Sequence, residues 1–248
     1  MSEKVVSLFI QCLVDTMFPE AAEAMVAVLQ RLNIPFVYSP DQTCCGQPAY
    51  NSGYRKEAKA AARRFIEIFE KAEVVVCPSG SCVHMVRQHY PELFCEDEEM
   101  RQRAINLGNK TFEFSQYLVD ELHITDVSAR YPGTVTYHDS CHLSRGLGIN
   151  SQPRTLLKKV EDLTFVEMSN SDTCCGFGGS FSVHYPEISS SMADEKIDNI
   201  LKSGADTVVG CDVSCLMNIM GRLSRRNEAV KVLHISQILA AQISGEDK

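Results

Sequence analysis

The chain has 248 residues, 44% of them hydrophobic, and a formal net charge of −8. That length suits two domains of ordinary size, and the apolar share is that of a folded globular protein. The acidic balance argues against a nucleic-acid surface, and no stretch approaches the ~20 consecutive apolar residues of a membrane-spanning helix.

The predicted elements alternate. Residues 5–10 are apolar and β-branched and read as a buried strand leading to Cys12. Gln11 and Asp15 interrupt this run and no small-residue cleavage site follows, so a signal peptide is not expected and the chain reads as cytosolic. Residues 18–32 form a helix with Pro19 in its first turn and Ala22, Met25, Val26, Leu29 and Leu32 on one face. A strand at 34–38, a loop at 40–53, a helix at 54–72 burying Ala58, Ala61, Ala62, Phe65, Ile66 and Phe69, and a strand at 73–77 follow. A short helix opens near Cys82; residues 94–100 read as acidic and exposed, 100–108 as a helix and 112–114 as a fourth strand, with Ser115 capping a helix through Leu122.

Tyr131-Pro132-Gly133 is the natural domain boundary, giving domains 1–130 and 131–248. Beyond it the order repeats: strand 134–138, helix 153–160, strand 164–168, loop 169–181, helix 186–201, strands 207–210 and 232–235, and a helix from Ser236. This pattern implies an α/β fold of two duplicated Rossmann-like halves, each with a mostly parallel sheet, related by a pseudo-two-fold axis. Phe114-Ser115-Gln116-Tyr117-Leu118 returns as Ile235-Ser236-Gln237-Ile238-Leu239, 121 residues later, whereas Cys12 and Cys141 are 129 apart, so the first half carries an insertion near residues 94–108.

The strongest signal is a repeated motif: Thr43-Cys44-Cys45-Gly46 recurs as Thr173-Cys174-Cys175-Gly176. Adjacent Cα atoms sit about 3.8 Å apart, too close for a relaxed disulfide at roughly 5.5 Å, so each pair reads as two thiolates aimed at one metal centre. Eleven cysteines in a cytosolic-looking chain favour metal binding or thiol chemistry over disulfides. Aligning Ala72-Glu73-Val74-Val75-Val76 with Ala205-Asp206-Thr207-Val208-Val209 makes Cys82 and Cys215 equivalent, and leaves Cys77 and Cys211 out of register. The two predicted sites are therefore Cys12, Cys44, Cys45 and Cys82, and Cys141, Cys174, Cys175 and Cys215. In a doubly wound sheet these positions meet outside the carboxyl ends of the strands. Four thiolates suit iron–sulfur clusters or zinc. Cys95 receives no role.

Gly46, Gly176, Gly178 and Gly179 allow the backbone to approach a bulky cofactor. They do not form a nucleotide-binding turn, because Phe181 stands where a third glycine belongs. His138 and His142 flank Cys141 as candidates for moving a proton or replacing a thiolate, ahead of His84 and His184.

At these residues the chain resembles the cysteine-rich CCG-domain family, which includes a cysteine-rich subunit of heterodisulfide reductases, the iron–sulfur subunit of glycolate oxidase and the lactate utilisation proteins. Cys44-Cys45-Gly46-Gln47-Pro48-Ala49-Tyr50-Asn51-Ser52-Gly53, Pro78-Ser79-Gly80-Ser81-Cys82, Cys174-Cys175-Gly176-Phe177-Gly178-Gly179 and Cys215-Leu216-Met217-Asn218-Ile219 most resemble the last of these. The resemblance implies an iron–sulfur subunit of a cytoplasmic complex that oxidises L-lactate to pyruvate. Its implied partners are a ferredoxin-like iron–sulfur subunit and a third subunit, with a small 2-hydroxy acid as substrate. The family's fullest pattern ends in Cys-x-x-Cys and gives five cysteines to a non-cubane cluster. Here the first of those positions is Ser79 in one half and Asp212 in the other. A cubane four-iron cluster, a non-cubane one with Cys77 or Cys211 in a shifted approach, and zinc in one half stay open. So does a non-catalytic electron-relay or zinc-stabilised subunit of a 2-hydroxy-acid or heterodisulfide oxidoreductase.

Overall fold

The computed structural model of the protein describes residues 4–242. Its first half runs β1 (Val6–Leu8), α1 (Cys12–Met17), α2 (Pro19–Arg31), β2 (Phe36–Tyr38), α3 (Gln47–Asn51), α4 (Arg55–Phe69), β3 (Val74–Cys77), α5 (Gly80–His84), α6 (Tyr90–Leu93), α7 (Glu98–Gly108), β4 (Thr111–Glu113) and α8 (Phe114–Gln116). The second runs β5 (Arg130–Tyr137), α9 (Ser151–Leu157), β6 (Glu161–Phe165), α10 (Phe181–His184), α11 (Pro186–Lys202), β7 (Thr207–Gly210), α12 (Val213–Arg225), β8 (Lys231–His234) and α13 (Ile235–Ala240). Single π-helical turns occupy Met85–His89, Tyr117–Glu121 and His142–Gly146.

Both halves are Rossmann-like. Each has a four-stranded sheet, ordered β2-β1-β3-β4 and β6-β5-β7-β8, and every pairing is parallel. The duplication extends to the register: Val6 pairs with Phe36 and Val74, and Val135 pairs with Phe165 and Thr207. The wholly buried apolar residues of the central strands, such as Val74, Val75 and Val76, reflect helices on both faces.

Three apolar cores hold the molecule. An outer core joins α4 and α7 to the first sheet through Phe65, Ile66, Met100 and Ala104. Another joins α11 and α12 to the second through Ile197, Ile200 and Ile219. The central core belongs to both halves: Met25, Val28 and Leu29 of α2 and Ile238 and Leu239 of α13 meet between the sheets, with Leu118 and Leu156 on the symmetry-related side. Polar contacts lock the same seam, since Ser236 Oγ donates to Ala21 O at 2.7 Å and Arg31 donates to the carbonyls of Val127, Leu239 and Ala240.

Several expectations are corrected at element ends. The strand expected from 134 begins earlier, at Arg130, so that β5 includes Tyr131-Pro132-Gly133, and its pairing with β6 is irregular between Arg130 and Gly133. Phe94 and Met100 are buried anchors for an otherwise exposed acidic stretch. On α2 the fully buried face is Ala21, Met25, Val28 and Leu29, while Ala22, Val26 and Leu32 are only partly covered. Glu113, not Ser115, caps α8: its carboxylate accepts from the N–H groups of Ser115 and Gln116 at 2.8 and 3.1 Å. The insertion in the first half is the extra run α6 and α7 between β3 and β4, where the second half has α12 alone.

Candidate metal centre

The parallel strands of each sheet end at one edge, and the cysteines are carried there by different loops. Cys12 opens α1, whose cap Gln11 accepts from Leu13 N at 2.8 Å. Cys44 and Cys45 follow β2, and Cys82 lies in the first turn of α5, where Ser79 accepts from its N–H at 3.3 Å. In the second half Cys141 precedes the π-helical turn, Cys174 and Cys175 follow β6, and Cys215 lies in the first turn of α12. All eight line one cavity of about 270 Å³, and the Sγ atoms of Cys45 and Cys82 are 3.3 Å apart. Every cysteine is a free thiol.

The glycine after each pair sets the turn. Gly46 and Gly176 have φ of 85° and 83°, and each donates its N–H to the sulfur of the first cysteine, Cys44 or Cys174, at 3.4 Å. Side chains are strained at this φ, and a Cβ on Gly176 would also stand 2.6 Å from Ser189 O. These two glycines shape the turn behind the cavity, whereas Gly178 and Gly179 line it. The first thiol of each pair is the more acidic one. Hydrogen bonds from Cys12 and Cys45, with the Gly46 N–H, lower Cys44 to about 3, and the Cys141 and Cys175 thiols with the Gly176 N–H lower Cys174 to about 2. The partner thiols Cys12 and Cys141 rise correspondingly, first because they donate to these anions and then through burial. A bound metal would replace those shared protons.

Cys77 and Cys211 are buried under the site and do not line the cavity. Cys211 Sγ accepts from Tyr137 Oη at 3.2 Å, and the Cys77 thiol abuts that of Cys82 from the core side. Cys95 is exposed.

Sequence reasoning missed what Ser79 and Asp212 do. These equivalent positions, one in each half, bond to each other: Ser79 Oγ donates to Asp212 Oδ1 at 2.8 Å. The same buried carboxylate accepts from Ser81 Oγ at 2.7 Å, from Ser81 N at 3.0 Å and from Ser140 Oγ at 2.8 Å. Asp212 therefore caps α5 of the opposite half and makes no side-chain cap to its own helix α12. The sequence marked both residues as departures from a cysteine pattern, but nothing in it shows that they face each other across the pseudo-two-fold.

The histidines separate. His142 lines the cavity with Nδ1 3.8 Å from Cys141 Sγ. Its ring packs 5.0 Å from that of His84, which packs 5.0 Å from His89. Burial lowers His142 and brings His84 to about 4, so both rings are neutral near pH 7. His138 is wholly buried behind Cys175 and Cys215 and does not reach the cavity surface; burial, then the neighbouring Lys196, lowers it to about 3. His184 is exposed on α10.

The donor set fits a thiophilic metal: eight sulfurs converge, no lysine or arginine among the described residues lines the cavity, and Asp212 is tied down by four donors. Two parallel α/β halves that bring four cysteines each to a shared cleft define a duplicated, thiolate-lined metal-binding protein. The profile of the cysteine-rich (CCG) domain matches residues 6–87 and 135–220, and the chain belongs to that family. Its relatives include the lactate utilization protein A of an Exiguobacterium species, 51% identical over 236 residues that cover 94% of this chain and 96% of that one. The protein of the same name from a Geobacillus species is 48% identical over 94% of this chain and 98% of its own. A crystal structure of a hypothetical protein from Helicobacter pylori shares the fold at a TM-score of 0.68 and 10% identity, covering 100% of this chain and 50% of that one.

Proposed function

We propose that this chain is an iron–sulfur subunit of a cytosolic, multi-subunit system that oxidises L-lactate to pyruvate. The observation that carries the reading is the convergence of all eight repeat-related cysteines on one cavity. Cys12, Cys44, Cys45 and Cys82 hold one centre, and Cys141, Cys174, Cys175 and Cys215 hold the other. When bound, such centres supply one-electron redox chemistry. The relatives named for lactate utilisation support lactate as the substrate.

The chain's own residues would bind the centres, exclude water and handle protons. Gly178 and Gly179 let the backbone come close to whatever occupies the cleft. His142, lining the cavity as a neutral imidazole, is placed to take a hydroxyl proton. Among the described residues no lysine or arginine lines the cavity to meet a substrate carboxylate, and Arg145 stands beside Cys141 but is exposed. That observation favours a second reading, in which a partner subunit binds the lactate and this chain relays electrons. Either way a ferredoxin-like iron–sulfur partner and a third subunit complete the system.

The test is lactate-dependent dye reduction by the purified chain and then by the reconstituted complex. Little or no sustained turnover alone, with turnover gained on adding the partners, supports the proposal. Full activity of the chain alone contradicts the need for partners. An intact complex inactive on lactate, with glycolate and other 2-hydroxy acids tried beside it, contradicts the substrate.

A further inference from the structure

The two halves are not chemically equal behind their cysteines. Phe9 and His138 occupy the same place: each lies three residues before the first cysteine of its half. Each also donates its backbone N–H to the equivalent carbonyl, that of Val76 at 2.9 Å or Val209 at 2.8 Å. The glycine turns align the helices that pack there. A Cβ on Gly46 would meet Ala58 O and one on Gly176 would meet Ser189 O, so Ala58 corresponds to Ser189 and, seven residues on, Phe65 to Lys196.

In the first half this place is filled by an edge-to-face aromatic pair, Phe9 and Phe65, with centroids 4.7 Å apart. In the second it is filled by His138 and Lys196, which are 1% and 0% exposed. The Lys196 ammonium is accounted for, since it donates to the carbonyls of Asn170 and Ser171 at 2.8 and 2.9 Å. The imidazole is not: among the described residues neither Nδ1 nor Nε2 has a partner at good hydrogen-bonding geometry. A buried polar group left unpaired destabilises the fold by its full desolvation cost, and the first half shows that an aromatic ring fills the space without that cost. A ring nitrogen of His138 also lies within 4.8 Å of the sulfurs of both Cys175 and Cys215, and the Ser171 carbonyl is beside the ring as an acceptor for the other nitrogen.

We propose that His138 is a nitrogen ligand of the centre in the second half, so that the protein holds one all-sulfur site and one mixed sulfur–nitrogen site. The inference rests on the metal-binding reading above. A neutral imidazole joins the four thiolates without adding a further negative charge, and Lys196 places a buried positive group behind the same cysteines, which favours the reduced centre there. The second-half centre is then the one reduced first, which sets the direction of electron flow inside the chain.

The experiment uses the full chain, grown on isotope-labelled histidine and loaded anaerobically with ferrous iron and sulfide. Iron is counted in wild type and in a chain whose first-half cysteines are replaced by serine, and pulsed EPR is recorded after dithionite reduction. The expected result is a strongly coupled histidine nitrogen in wild type. It is lost in His138→Phe, which copies the first half, and in His138→Cys, which keeps a ligand but makes it sulfur. In His138→Cys, which adds a thiolate's charge, the second-half centre also becomes harder to reduce and titrates closer to the first. A loaded wild-type chain with no strongly coupled histidine nitrogen, or a nitrogen that persists in both variants, overturns the proposal and leaves metal binding standing. A second half that takes up no iron overturns metal binding there, and this proposal with it.

Discussion

At the scale of single residues, the site depends on atoms that have no substitute. Gly176 is held at φ 83° with Ser189 O 2.6 Å from where a Cβ would be, and Gly148, at φ 71°, has nothing within 4 Å of the same point. Alanine at 148 should cost about 1 kcal/mol for the backbone conformation alone. Alanine at 176 should cost roughly 1–3 kcal/mol more, because a backbone carbonyl must move, and it should weaken metal binding in the second half. Urea denaturation of the two variants measures the difference, and equal losses would show that the turn is not constrained as described. The cysteines divide in the same way. Serine at Cys215 should bleach visible absorption of the metal-loaded chain, and serine at Cys211, which is buried against Tyr137, should leave it unchanged. The reverse result would break the alignment of the two halves.

At the scale of elements, capping decides what the sequence could and could not show. The helices with a clear apolar face, α2, α4 and α11, were legible within a few residues of their ends. Their caps were less so, because a cap is a hydrogen bond and several residue types can make it. Glu113 took a role that the adjacent Ser115 suggested for itself, and Asp212 caps a helix 131 residues away in sequence. Removing that carboxylate by Asp212→Ala leaves Ser79, Ser81 and Ser140 without their acceptor. Hydrogen bonds to a charged group are worth about 1.5–3 kcal/mol each, so unfolding free energy should fall by roughly 3 kcal/mol or more; a loss under about 1 kcal/mol would show that the link between the halves is not energetically important. Glu113 gives a pH signature. Burial pushes its carboxyl up from 4.5 to about 7, and its Oε1 has no partner. Between those values the folded state holds a proton that the unfolded chain has released, so stability falls as pH rises from 4.5 to 7 and levels above it. The size is about 3 kcal/mol. Glu113→Gln keeps an acceptor for the Ser115 N–H and should flatten that slope in denaturation curves taken across the range; an unchanged slope would place its origin elsewhere.

At the scale of the whole molecule, the duplication carried most of the fold. The repeat and the alternation of strands with helices were visible because each strand is a short apolar run and each helix has a periodic face. The shared core was not visible, because nothing in one repeat's pattern says that α2 will pack on α13 of the other. Nor was it visible that two cysteine sets separated by about half the chain line a single cavity. If each half still binds its own centre, replacing Cys44 and Cys45 with serine should remove about half the metal and leave the rest. Loss of all of it would mean that the two sets act as one site. The most direct measurement is iron, acid-labile sulfide and zinc content of the chain purified without oxygen. The account predicts a brown protein with iron and sulfide in near-equal amounts and little zinc. A colourless protein that carries zinc alone, or no metal at all, would contradict it.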